Sequence, residues 1–93
     1  MQKPRIYADF NKWTQCNNEY WLILDCKGTH DDLKRLNLQL HVGLEAIFYT
    51  DDANDDGSLN ELEADGIVRF DSNRFGWVAV IDQEKIRHAR DKD

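Results

Sequence analysis

Residues 51–66 read DDANDDGSLNELEADG, and seven of the residues from Asp51 to Asp65 are acidic with no Lys or Arg among them. Counted from Asp52, oxygen donors fall at Asp52, Asn54, Asp56, Ser58 (through its carbonyl), Asn60 and Glu63, with Gly57 at the sharp turn and Leu59 at an apolar position. A chain folded around a hard cation points every second residue inward, so this spacing suits Ca²⁺. Should Glu63 be taken up in a strand, Glu61 or Asp51 would complete the shell.

The pattern resembles the loop of an EF-hand, whose ligands sit at the same alternating positions. The flanks do not. LEAIFYT, before the loop, has the two-residue rhythm of a strand, and Gly66, Ile67 and Val68 follow Glu63 where an exit helix would be needed. The resemblance therefore implies a calcium loop carried on a hairpin. The competing reading is a solvated turn, built from Asp, Asn, Gly and Ser because these residues accept turn dihedrals and bond their own backbone.

The remaining constellations are weaker. Cys16, Cys26, His30 and His41 contain zinc-binding types, yet only Cys26 and His30 have ligand-like spacing and no tight Cys pair is present. Cys26, His30 and Asp31 hold the types of a nucleophilic site but are sequence neighbours, whereas such roles need opposed geometry. Ser58 and Ser72 lack an elbow motif, and no phosphate cradle appears. No catalytic residues are assigned, and an enzyme is not expected. Trp21 and Trp77 are the candidates for a partner-binding groove.

Charge narrows the choice of partner. The net charge is −6, but residues 51–65 alone hold −7 and the rest of the chain +1. A field concentrated in this way repels phosphate backbones and attracts cations or basic protein surfaces. Nucleic acid is not an expected partner. No apolar run approaches the length needed to span a bilayer, and the start MQKPRIYADF lacks an apolar targeting core. A cytoplasmic protein without membrane contact is the expectation, with Cys16 and Cys26 as free thiols.

With 93 residues, 41% apolar content and ten aromatic side chains, the chain has material for one domain, residues 1–93, with 89–93 frayed. Alternation predicts strands in RIYADF, EYWLILDC, LEAIFYT, LEADGIVRFD and GWVAVID. Between them, GTHDDLKRLN predicts one short helix near residues 30–36, with Thr29 as its cap and Asp31 and Asp32 at its positive end. LNLQLHVG predicts an extended arm ending at Gly43, and IRH one helical turn or a last short strand. Few strands and one helix cannot hide both faces of a flat sheet. The expected fold is mainly β, a strongly bent antiparallel sheet or small barrel of 4–6 strands.

A strand LEAIFYT after a Gly, a long acidic hairpin, the strand GIVRFD, a short turn and the aromatic-led GWVAVI together resemble the SH3-like barrels over residues 5–88. Gly28, Thr29, Asp32 and Leu33, with Trp77 to Ala79, also resemble small uncharacterised bacterial domains that carry a GT-x-DL turn and a WVA strand. Neither resemblance implies an activity. The expected function is that of an acidic, non-enzymatic protein-interaction module with a basic partner. Its rivals are the calcium loop and an acidic inhibitor or immunity-type protein that mimics nucleic acid.

Overall fold

The computed structural model describes residues 3–16, 18–50 and 61–88. The strands are β1 (Arg5–Tyr7), β2 (Trp13–Cys16), β3 (Glu19–Ile23), β4 (Glu45–Thr50), β5 (Leu62–Asp71), β6 (Gly76–Ile81) and β7 (Arg87–His88). One helix, α1 (Lys27–Arg35), precedes β4, and a 3₁₀ turn at Gln83–Lys85 separates β6 from β7. Six strands lie in the order β1-β4-β5-β6-β3-β2, and β7 adds two residues to β5 opposite Leu62 and Glu63.

The fold is mainly β with one helix, as composition and alternation require, but two details of the expectation are corrected. The sheet is mixed, because β1 runs parallel to β4 with Ile6 opposite Phe48. Parallel neighbours need a long crossover, which β2, β3 and α1 supply. The sheet is also not closed into a barrel: among the described residues no pairing joins β1 to β2. The free edge of β1 is already occupied. The Tyr7 N–H donates to Asp32 Oδ2 at 3.0 Å, and the Thr29 hydroxyl donates to the Tyr7 carbonyl. A strand edge left open invites foreign strands, and here helix side chains take its place.

That use of Thr29 explains where the helix begins. Thr29 is not the cap; Cys26 is, its side chain meeting the Thr29 hydroxyl and no helix N–H, and the first turn is Lys27, Gly28 and Thr29. Asp31 and Asp32 consequently lie one turn further in than expected. Gly28 permits the contact, since a Cβ there would stand 2.5 Å from the Tyr7 ring. At the other end Asn37 adopts φ 53°, with Asn37 N–H bonded to the Lys34 carbonyl and Leu38 N–H to that of Leu33. This paired closure is a Schellman ending, and Asn is one of the few residues that accepts its left-handed position.

Residues 36–44 form no strand. Their alternation still reports burial: Leu38, Leu40 and Leu44 pack on the core while Leu36 and Val42 are exposed. The core face of the sheet follows from register. Ile6 lies beside Phe48, Phe48 opposite Ala64, Val68 opposite Ala79, and Ala79 opposite Leu22. Small residues fill the middle because the large ones lean over them. A Cβ on Gly66 would meet Ile81 Cγ2 at 2.8 Å and Phe48 Cδ2 at 2.9 Å. β2 was not foreseen, since WTQC shows no apolar alternation; pairing with β3 makes it a strand.

Candidate functional site

The face opposite the core is where β5 presents Glu63, Asp65, Ile67, Arg69 and Asp71. Register brings Glu45 beside Ile67 on β4, and Val80 beside it on β6. A groove of about 670 Å³ crosses the strands here. Ile67, 46% exposed, and Val80 provide its apolar lining together with Ile81 and Tyr20. Around them stand the carboxylates of Glu19, Glu45, Asp65, Asp82 and Glu84, against the lysines Lys3 and Lys85.

Each wall has a local cause. β6 runs out at Ile81, and Asp82 then starts the 3₁₀ turn by accepting the Glu84 N–H at 3.0 Å, which sets Glu84 and Lys85 at the rim. Glu19 accepts from the Trp21 ring N–H at 3.2 Å and from Arg69 at 3.1 Å. Lys3 is shared between Glu45 and Asp65 at 3.8 and 3.7 Å. Exposed pairs of this length contribute little stability. Arg87 also pairs with Asp65 at 3.6 Å, so the five carboxylates face two lysines and two arginines, and the groove keeps a small excess of negative charge over an apolar floor.

Towards the β1 side the same face carries a polar cluster around one buried carboxylate. The Glu63 side chain is 2% exposed and receives Arg87 at 2.7 Å and Arg5 at 3.3 Å. Arg5 also pairs with Glu61 and lies 4.7 Å over the Tyr49 ring. The hydrogen bond from Arg5 to Glu61 holds the guanidinium pKa above its ordinary value, against the opposing effect of burial. Tyr49 donates its hydroxyl to Asp32 and meets Tyr7 edge to face at 5.7 Å. Burial pushes the Asp32 carboxyl pKa up, but hydrogen bonds from the Tyr49 hydroxyl, the Tyr7 amide and Arg35 together bring it below the usual range. No buried side-chain nitrogen or oxygen among the described residues lacks a partner. The cluster therefore ties β1, β4, β5, β7 and α1 together.

The sequence-derived candidates are distributed as follows. Asp52, Asn54, Asp56, Ser58 and Asn60 lie outside the described residues, as do Asp51 and residues 89–93. Glu63 lies in the ladder opposite Tyr49 and Arg87, its carboxylate held by arginines. Trp21 and Trp77 are not brought together. Trp77 packs on the core beside Phe70, with ring centroids 4.9 Å apart, whereas Trp21 belongs to the opposite face. Trp21 helps to line a smaller hollow of about 300 Å³ with Phe75 and Arg74.

Cys16 and Cys26 are both free and half-buried. Cys26 Sγ contacts the Thr29 hydroxyl at 3.0 Å, and His30 and Asp31 are exposed on α1, with Asp31 turned to Lys27. Among the described residues no three His, Cys, Asp or Glu side chains converge on a metal position. Ser72 is exposed in the turn after β5, which Asp71 holds by accepting the N–H groups of Asn73, Arg74 and Phe75. The Phe75 amide is the main reason that the Asp71 pKa falls below the ordinary carboxylate value.

Sequence reasoning missed the groove altogether. Glu19, Glu45, Asp65, Asp82 and Glu84 belong to separate segments, and only strand register assembles them. The Asp at the end of GWVAVID is the one local signal, marking a turn that projects charge. No helix among the described residues is long and apolar enough to cross a membrane. No family model, curated protein or solved structure matches the chain. Function is therefore argued from geometry and charge.

Proposed function

We propose that the chain is a non-enzymatic protein-interaction module whose acidic groove receives an extended, basic segment of a partner protein. The observation that carries this reading is the groove itself: an exposed Ile67 and a half-buried Val80 ringed by five carboxylates and two lysines. An apolar floor supplies contact area, and an acidic rim draws Lys and Arg side chains inward and speeds encounter. Arg5, Arg69 and Arg87 share this face with the carboxylates, which favours a defined groove over the broad acidic face of a nucleic-acid mimic. The two free thiols suit a reducing, cytoplasmic setting.

A strongly curled, SH3-like sheet is part of the same proposal. β1 and β2 occupy opposite edges of the six-strand order, yet only residues 8–12 join them. Laid flat, six strands would separate those edges by about 24 Å. Six Cα steps reach about 20 Å when fully extended, and the turn bond from Lys12 N–H to the Asp9 carbonyl shortens this. Curl reconciles the two lengths and makes a cross-strand groove a shaped surface.

Calorimetric titration with a peptide of about ten alternating Lys and Val residues tests the function, with a Glu–Val peptide as control. Binding of the Lys peptide alone is expected, weakening as salt screens the rim and further weakened by Asp65→Lys or Ile67→Lys. Equal binding of both peptides, or of neither, refutes the reading.

A further inference from the structure

We propose that two copies of the chain associate through the free edge of β2, with Trp13 paired to Gln15 of the second copy across a two-fold axis at Thr14. The inference does not rest on the groove, although Gln15 also lines it, and starts from hydrogen-bond phase. Ile23 N–H donates to the Lys12 carbonyl at 2.9 Å, and Lys12 therefore turns its backbone groups towards β3. In an antiparallel pair this alternates, so Thr14 and Cys16 also face β3. Trp13 and Gln15 must then direct both N–H and C=O away from the sheet.

The two edges of the sheet differ in how these groups are covered. On β1 the outward groups of Tyr7 are met by Asp32 and Thr29. Among the described residues, β2 has no strand on its outer side. Its four residues, Trp13, Thr14, Gln15 and Cys16, include no charged side chain and no proline, so shortness is the one usual protection the strand has.

Charge identifies the occupant. The −6 of the chain is concentrated in residues 51–65, where a second copy is repelled and a basic partner is drawn, and the +1 of the remaining residues leaves other surfaces open to a like chain. The neutral β2 edge is where identical chains can meet without opposing like charges. Centred on Thr14, an antiparallel pairing is self-complementary. Trp13 and Gln15 form a bonded pair twice, giving four main-chain hydrogen bonds, while Thr14 faces its own copy at the non-bonded position. Thr–Thr contacts there are favourable. The next pair sets Lys12 against Cys16 of the second copy, again without like charges. Trp13, 46% exposed and stacked on Tyr20 at 4.5 Å, gains cover from the opposing Gln15.

Sedimentation of the full chain from about 10 μM to about 1 mM tests the proposal, with a concentration-dependent monomer–dimer equilibrium expected. Gln15→Pro removes an N–H that β3 does not use, one from each copy, and is expected to weaken the dimer about ten- to a hundred-fold with an unchanged circular dichroism spectrum. A second measurement stands if that variant misfolds: Thr14→Cys, in a Cys16→Ser and Cys26→Ser background, is expected to cross-link on mild oxidation. Non-bonded antiparallel partners lie about 4.5 Å apart at Cα, within disulfide range. A chain monomeric to 1 mM, a dimer indifferent to Gln15→Pro, or one that Thr14→Cys does not cross-link overturns the proposal; pairing only with strands of other proteins does so as well.

Discussion

Replacing Asp32 with Ala removes the group that joins α1 to two strands at once. Its carboxylate accepts the Tyr7 N–H, the Tyr49 hydroxyl and, at 3.3 Å, Arg35. The Arg35 pair lies on an exposed helix surface and is worth about 0.3 kcal/mol. The other two bonds go to half-buried donors, and leaving such a donor without an acceptor costs about 1 to 3 kcal/mol. A loss near 3 kcal/mol is expected, which for a domain of this size lowers the Tm by about 15 °C. Urea denaturation followed by tryptophan fluorescence measures the loss, and amide exchange at Tyr7 localises it, since that N–H should become the fastest on β1. The pH dependence carries a sign. Because the folded Asp32 pKa lies below its ordinary value, its stabilisation is complete above the unfolded carboxyl pKa of about 4 and is lost as pH falls through the folded pKa. The gap between wild type and variant should therefore be widest at neutral pH and close in acid. A loss under about 0.5 kcal/mol at pH 7, or a gap that grows as pH falls, refutes the edge-capping argument.

Three further outcomes follow from the packing. Glu63→Gln keeps the volume but leaves Arg5 and Arg87 facing a neutral amide, and since both arginines reach solvent the cost should be about 1 to 2 kcal/mol in urea denaturation; equal or greater stability would contradict a structural role for the cluster. Gly66→Ala drives a methyl group into Ile81 and Phe48 and should cost about 1 to 3 kcal/mol, whereas an unchanged thermal midpoint would mean that the contact relaxes freely. Glu61 and Glu63 are both engaged by Arg5, so a calcium ion drawing on either must compete with a cation already in place. The melting temperature in about 5 mM Ca²⁺ should accordingly lie within about 1 °C of that in EDTA, and a larger rise would put the calcium loop ahead of the interaction module.

What the sequence alone determined was local. LEADGIVRFD delimits β5 to the residue, and LEAIFYT and GWVAVID place β4 and β6 within one residue, because alternation along a single strand reports which face is buried. The low helix content and the concentration of charge were legible for the same reason. Only the tertiary structure decided the rest. Whether β1 ran parallel to β4, whether WTQC became a strand, and whether Thr29 capped its own helix or the neighbouring strand depended on partners distant in sequence. The two tryptophans went to opposite faces, since a residue's side of the sheet is settled by the register of its own strand against its neighbours. The acidic groove formed in the same way: carboxylates unremarkable within their own segments became neighbours once hydrogen-bonded strands set them side by side.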